Sequence, residues 1–145
     1  MIKKIIDNHN NLKDIFYNKL DKLREDFDFN NQDITFKELE EYSTILENEI
    51  KKHFNMQEKL KNQINPQVDK LILENMLVRD MLIRMAQKLH NGAINKDINI
   101  FSFFDDVEEI FRAYLKKEEG LFIQELNQAT NEKDKDKIEK ILNLF

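Results

Sequence analysis

The 145-residue chain contains no cysteine, one proline and two glycines. Without cysteine it can form no disulfide, no thiolate metal site and no cysteine nucleophile. β-Sandwiches and folds that alternate strands with helices need many turns, and turns draw on glycine and proline. The scarcity of both residues argues against those classes and favours an all-α fold.

Long blocks of one charge and long apolar runs are also missing. The net charge is −5 and the lysine clusters have acidic neighbours, so nucleic-acid binding is not expected. No stretch approaches the roughly 18 consecutive apolar residues of a membrane span, and the first residues lack the apolar run of a signal peptide. These observations predict a soluble, cytoplasmic protein with no membrane partner.

What remains is the composition of amphipathic helices around a core, with 35% charged and 41% apolar residues. Apolar residues recur at helical spacing in four long segments, at about 2–26, 35–64, 66–90 and 100–126, and in a short one at about 131–145. Because the connections are short, neighbouring segments should run antiparallel. The sequence predicts one domain: an up-down-up-down four-helix bundle over about residues 2–126, with a short C-terminal fifth helix.

Local signals indicate where these helices begin and end. Thr35 and Glu38 fit a capping box at the start of the second helix. Pro66 suits the first position of the third helix, and Gly92 suits a left-handed cap at its end. Gly120 falls inside the fourth helix, where the close approach of a neighbouring helix is the plain explanation. The Asn- and Asp-rich residues 28–33 are predicted to form a loop.

Each long segment carries polar residues on its apolar stripe, namely His9, His53, Gln57, Asn75, Tyr114 and Glu118. Residue 9 lies 17 positions before residue 26, near the end of its helix, and residue 53 lies 17 positions after residue 36, near the start of the next. At about 1.5 Å per residue, both lie roughly 25 Å from the connecting loop. The six residues should therefore meet in one layer. Such a layer is costly to bury unless its members satisfy each other or bind a ligand.

The sequence around these residues resembles that of the hemerythrin-like (HHE cation-binding) family, over about residues 2–126. The matching stretches are Asp7-Asn8-His9-Asn10-Asn11-Leu12, His53-Phe54-Asn55-Met56-Gln57-Glu58-Lys59-Leu60, Leu73-Glu74-Asn75 and Tyr114-Leu115-Lys116-Lys117-Glu118-Glu119-Gly120-Leu121-Phe122. The resemblance implies a four-helix bundle that holds a non-haem di-iron centre. Members of the family handle oxygen, nitric oxide, peroxide or iron itself.

The chain departs from the family pattern at half of the ligand positions. His9, His53 and Glu118 stand where the family has two histidines and a bridging carboxylate. Gln57 replaces the other bridging carboxylate, and Asn75 and Tyr114 replace two further histidines. In the family, the histidines of the first two helices serve one iron and those of the last two serve the other. The resemblance therefore implies that one iron's ligands are kept, and an intact di-iron centre is not expected.

Two interpretations remain open for the site. In the first, His9, His53 and Glu118 hold a single iron ion, since two histidines and one carboxylate are a known facial set for Fe(II) with open positions for O2 or NO. Zinc or manganese would also fit, Gln57 would add a neutral oxygen, and Tyr114 would add a phenolate. In the second, the site is metal-free, and the amides and Tyr114 form a buried hydrogen-bond network in a structural or interaction protein.

A binding or sensing module is therefore the leading hypothesis for function. A redox enzyme, for instance one that turns over peroxide, would also need an open metal position and a path for a reductant, and the sequence shows neither. Glu58 and Glu119 follow the site positions by one residue, so they should project about 100° away, towards solvent. In the fifth helix, the face formed by Ile138, Leu142 and Phe145 either folds over the bundle end or forms a homodimer contact.

Overall fold

The computed structural model describes residues 3–29, 32–129 and 132–143, and all regular structure in these ranges is helical. The helices are α1 (Lys3–Phe29), α2 (Gln32–Lys59), α3 (Pro66–Ile94), α4 (Phe104–Lys117), α5 (Gln124–Ala129) and α6 (Glu132–Leu142). A 3-10 segment (Ile98–Phe103) precedes α4, and a π-helical segment (Glu118–Ile123) joins α4 to α5. The prediction of an all-α fold is confirmed. Among the described helices, none has the length and apolar content needed to cross a membrane.

The ends of α2 and α3 test the predicted boundary signals. Pro66 is at the start of α3 as predicted, and the side chain of Asn65 caps that helix by accepting a hydrogen bond from the backbone N–H of Val68 at 2.8 Å. The prediction of a capping box at Thr35 is wrong, because α2 already begins at Gln32. The predicted loop at 28–33 is also mostly helical, and its residues 30 and 31 lie outside the described residues.

Neither glycine has the role predicted from the sequence. Gly92 does not end α3, which continues to Ile94. A Cβ at Gly92 would lie 2.5 Å from Cγ1 of Ile100, so glycine is needed where the 3-10 segment packs against α3. At Gly120 no heavy atom of another described part of the chain lies within 4 Å of such a Cβ, so the predicted close approach of another helix is wrong.

Contacts between the long helices show their relative directions. Gln57 contacts Asn75 whereas Glu47 contacts Gln87, so α2 and α3 run in opposite directions. The same reversed order appears between α1 and α2 (Asn8 with His53, Phe27 with Phe36) and between α1 and α4 (Phe16 with Phe111, Arg24 with Glu108). Each of these helix pairs therefore packs in an antiparallel manner.

Buried apolar side chains form two clusters. The larger cluster is rich in aromatic residues and includes Phe16, Phe54 and Phe111, while the smaller one includes Ile5 and Met56. Helix α6 belongs to the smaller cluster, where its residues Ile138 and Leu142 are completely buried. Helix α6, which corresponds to the fifth helix predicted from the sequence, therefore folds back over the chain. Phe145 lies outside the described residues.

Candidate functional site

The six polar residues singled out from the sequence lie in a single layer between the two apolar clusters. Each is at most 4% exposed, and a chain of contacts joins His9, Glu118, His53, Tyr114, Gln57 and Asn75. On α1, for example, Ile5 belongs to the smaller cluster and Leu12 to the larger, with His9 between them. The helix periodicity therefore placed these side chains correctly, and the structure brings all six together.

His53 and Glu118 are the centre of this layer. Nε2 of His53 lies 2.7 Å from Oε2 of Glu118 and 3.0 Å from the hydroxyl of Tyr114. The other ring nitrogen, Nδ1, is hydrogen-bonded to the side-chain oxygen of Asn8. Both ring nitrogens of His53 therefore face side-chain oxygen atoms, Nε2 that of Glu118 and Nδ1 that of Asn8.

Asn75, Gln57 and Tyr114 pair with one another on the side of His53. Asn75 donates from Nδ2 to Oε1 of Gln57 at 2.8 Å. Gln57 in turn donates from Nε2 to the hydroxyl of Tyr114 at 3.3 Å, and the same Nε2 lies 3.1 Å from Nε2 of His53. The two amides and the phenol thus form a continuous hydrogen-bond network with His53. We call His53, Gln57, Asn75 and Tyr114 the closed half of the layer.

The surroundings of His9 are different. Its Nε2 is hydrogen-bonded to Oε1 of Glu119 at 2.8 Å. Its Nδ1 faces Oε1 of Glu118 at 3.3 Å, but the pair is not in hydrogen-bond geometry. Both atoms are buried, and neither has a hydrogen-bond partner within the described part of the chain. We call His9, Glu119 and this edge of Glu118 the open half of the layer.

The carboxylate of Glu118 is held in its charged form. Burial alone would raise its pKa, but the charge of His53, the hydrogen bond from His53 and the nearby polar groups of His9 and Tyr114 outweigh burial and lower the pKa to about 2. Burial would lower the pKa of His9, but its contacts with Glu118 and Glu119 outweigh that effect and raise it. For Tyr114, burial followed by the charge of Glu118 raises the pKa well above its ordinary value. The layer therefore holds an ionised carboxylate between two imidazoles.

Glu119 is exposed, as predicted, but its carboxylate also contacts the buried layer. Its carboxylate bridges His9 and the ammonium of Lys13, which lies 2.9 Å from the same Oε1. These two hydrogen bonds lower the pKa of Glu119. Glu118 and Glu119 are the first two residues of the π-helical segment, and both side chains contact His9. Glu58 is also exposed as predicted.

Three residues near the layer were not identified from the sequence: Asn8, Lys13 and Glu119. Asn8 lies three residues after Ile5 and four before Leu12, so the helical pattern would have placed it on the inner face. Contact between Glu119 and His9 depends on the π-helical segment, for which the sequence has no comparable periodic signal. Lys13 lies near the layer because it forms an ion pair with Glu119.

The layer does not have the geometry of an assembled metal site. Across the residues that the structure describes, no group of three or more His, Asp or Glu side chains is arranged to hold a metal ion. The contacts explain this, because His53 and Glu118 bind each other directly and Nε2 of His9 is directed at Glu119. The ligand types match a metal site, while their positions are those of a hydrogen-bonded network.

Comparison of the chain with family models, with curated proteins and with solved structures finds no match. The resemblance to hemerythrin-like proteins therefore rests on the residues of the four motifs.

Proposed function

We propose that this chain is a cytoplasmic, hemerythrin-like binding or sensing module whose polar layer holds at most one metal ion. In this proposal α1, α2, α3 and the continuous α4–α5 form an up-down-up-down bundle, with α6 as the fifth helix. The observation that carries it is the pair of buried atoms without hydrogen-bond partners, Nδ1 of His9 and Oε1 of Glu118, which face each other at 3.3 Å beside His53. Buried polar atoms without hydrogen-bond partners are rare in proteins, and a bound ion is one way to satisfy them.

The residues present fit one ion rather than two. His9, His53 and Glu118 supply two imidazoles and a carboxylate, a set that suits non-haem iron and also accepts zinc or manganese. Gln57 and Asn75 contribute only neutral amide groups at the second position, where the family has charged or imidazole ligands. A bound ion supplies Lewis acidity and open coordination positions for O2 or NO.

The chain's own residues prepare these ligands. Asn8 accepts a hydrogen bond from Nδ1 of His53, which orients the ring and leaves Nε2 as the nitrogen available to a metal. Tyr114 lies 3.0 Å from that Nε2, so it is also within reach of the site. Because imidazoles bind metals only in the neutral form, binding must release protons from the layer.

Metal content tests the proposal directly. Protein purified from cells grown with added iron should contain close to one equivalent of metal, and both His9→Ala and His53→Ala should lose it. His90→Ala is the matched control, since His90 lies outside the layer and contacts Ser43 through Nδ1 at 3.2 Å. Two equivalents would contradict the single-ion site. The proposal would be contradicted if the protein were purified without metal and its melting temperature did not change on addition of Fe(II), Zn(II) or Mn(II).

A second candidate is a metal-free structural or interaction protein with the same fold. It is favoured by the closed half, where Asn75, Gln57 and Tyr114 satisfy one another without an ion. A homodimer through the apolar face of α6 is not part of either proposal, because Ile138 and Leu142 already lie in the chain's own core. Turnover of peroxide would require a reductant path as well as the metal, so we propose binding and not catalysis.

A further inference from the structure

The carboxylate of Glu119 joins the buried layer to solvent. Glu119 is 43% exposed and Lys13 is 46% exposed at the side chain, whereas His9, to which Glu119 is hydrogen-bonded, is 2% exposed. A single oxygen, Oε1, contacts Nε2 of His9 at 2.8 Å and Nζ of Lys13 at 2.9 Å. An ordinary surface ion pair would involve Lys13 alone. Here the same oxygen reaches a fully buried imidazole.

The backbone explains how Glu119 reaches this position. In an α-helix, consecutive side chains project about 100° apart, so an inward Glu118 would send Glu119 to a different face. The π-helical segment starts at Glu118 and contains Gly120, beside which there is open space. π-Helical turns are rare, and they occur frequently at functional sites. The segment therefore sets two consecutive carboxylates on His9, one buried and one exposed.

Lys13 binds the Glu119 carboxylate as a cation. Its ammonium contacts the same oxygen, Oε1, as the buried His9, and it is partly exposed to solvent. Both side chains are partly exposed, so their ion pair contributes little stability and can be exchanged readily. A divalent cation competes for the same oxygen with twice the charge.

We infer that Glu119 is the entry ligand of the layer, which captures a divalent metal ion from solvent in exchange for Lys13 and delivers it to His9 and Glu118. This inference rests on the proposed metal site. It assigns Glu119 a role in the rate of metal binding and not in the final ligand set. It also assigns Lys13 the opposite role, that of a competing cation.

The inference predicts opposite effects for two neighbouring substitutions. Co(II) association with metal-free protein can be followed in a stopped-flow instrument through the visible absorption of the bound ion. Glu119→Gln should slow association about tenfold, since charge steering of this order is typical of focused sites. Lys13→Ala should speed association a few-fold. Because an entry ligand acts in both directions, dissociation should slow together with association in Glu119→Gln, and Kd should change much less than either rate.

Glu58→Gln is the matched control, because Glu58 follows Gln57 as Glu119 follows Glu118 but is exposed on α2. Its rates should equal those of the wild-type protein. Equal association rates in wild type and Glu119→Gln would overturn the inference while leaving the metal site in place. A change in dissociation alone would also overturn it, since that would make Glu119 a permanent ligand. Absence of Co(II) binding by the wild-type protein would remove the metal site and the inference together.

Discussion

The two halves of the polar layer differ in how well their atoms are satisfied. In the closed half the amides of Gln57 and Asn75 pair with each other and with Tyr114. The open half has two buried atoms, Nδ1 of His9 and Oε1 of Glu118, with no hydrogen-bond partner among the residues that the structure describes. The closed half is therefore satisfied without an ion, whereas an ion would satisfy the two atoms of the open half.

Removal of the carboxylate shared by the two halves should have the largest effect. Glu118→Ala leaves His9 and His53 without their buried anion, and breaking a buried ion pair in this way costs about 3–5 kcal/mol. Urea unfolding of metal-free protein measures the change. Glu119→Ala removes a partly exposed carboxylate and should cost less, about 1–3 kcal/mol, because it leaves the buried Nε2 of His9 without its hydrogen-bond partner. Similar losses for the two variants would show that the halves are not distinct.

Acid should destabilise the metal-free protein through the same residue. The pKa of Glu118 is about 2 in the folded chain and 4.5 for the ordinary group. The contribution of ionised Glu118 to the free energy of unfolding is therefore present above pH 4.5 and is lost as the pH falls from 4.5 towards 2. This contribution to the free energy of unfolding is about 3 kcal/mol. Melting temperatures of wild type and Glu118→Gln across this range should converge at low pH, and parallel curves would contradict this assignment.

His9 should give the opposite pH dependence. The pKa of His9 is raised above 6.5. Its contribution to the free energy of unfolding is therefore full below pH 6.5 and is lost as the pH rises through the folded-state pKa. The difference in melting temperature between wild type and His9→Gln should therefore shrink as the pH is raised from 6 to 9. A difference that grows over this range would place the neutral ring, rather than the charged one, in the metal-free structure.

A substitution in the closed half should separate stability from metal binding. Asn75→Ala leaves Oε1 of Gln57 without its donor, which costs about 1–3 kcal/mol for a buried acceptor. Because Asn75 is not one of the three proposed ligands, the amount of Co(II) bound should remain that of the wild type. Urea unfolding and a Co(II) titration on the same protein give both answers. Loss of the ion in Asn75→Ala would mean that the closed half helps to hold the metal.

The smallest effect is expected in the π-helical segment of the open half. Gly120→Ala meets no neighbouring atom and should stabilise the protein by at most about 1 kcal/mol, since alanine loses less backbone entropy. Gly92→Ala is the contrasting variant, because its Cβ would overlap Ile100 and should destabilise by about 1–3 kcal/mol. Thermal unfolding distinguishes them. A destabilising Gly120→Ala would show that the segment needs glycine for its backbone.

Helical periodicity was sufficient to predict the class of fold and the meeting of the six polar residues, because inward positions on antiparallel helices have fixed depths. It did not predict the role of Gly92, which depends on Ile100 from a later segment. It also missed the contact of Glu119 with His9, since a π-helical turn changes the angle between consecutive side chains. Asn8 shows a different limit: its position fits the inner face, but only the structure shows that it binds His53.

The most direct test of the single-ion site is a crystal structure of protein loaded with Co(II), with anomalous scattering used to locate the metal. We predict one anomalous peak within about 2.0–2.2 Å of ligand atoms from His9, His53 and Glu118. A second peak beside Asn75 and Tyr114, or no peak in the layer, would contradict the proposal.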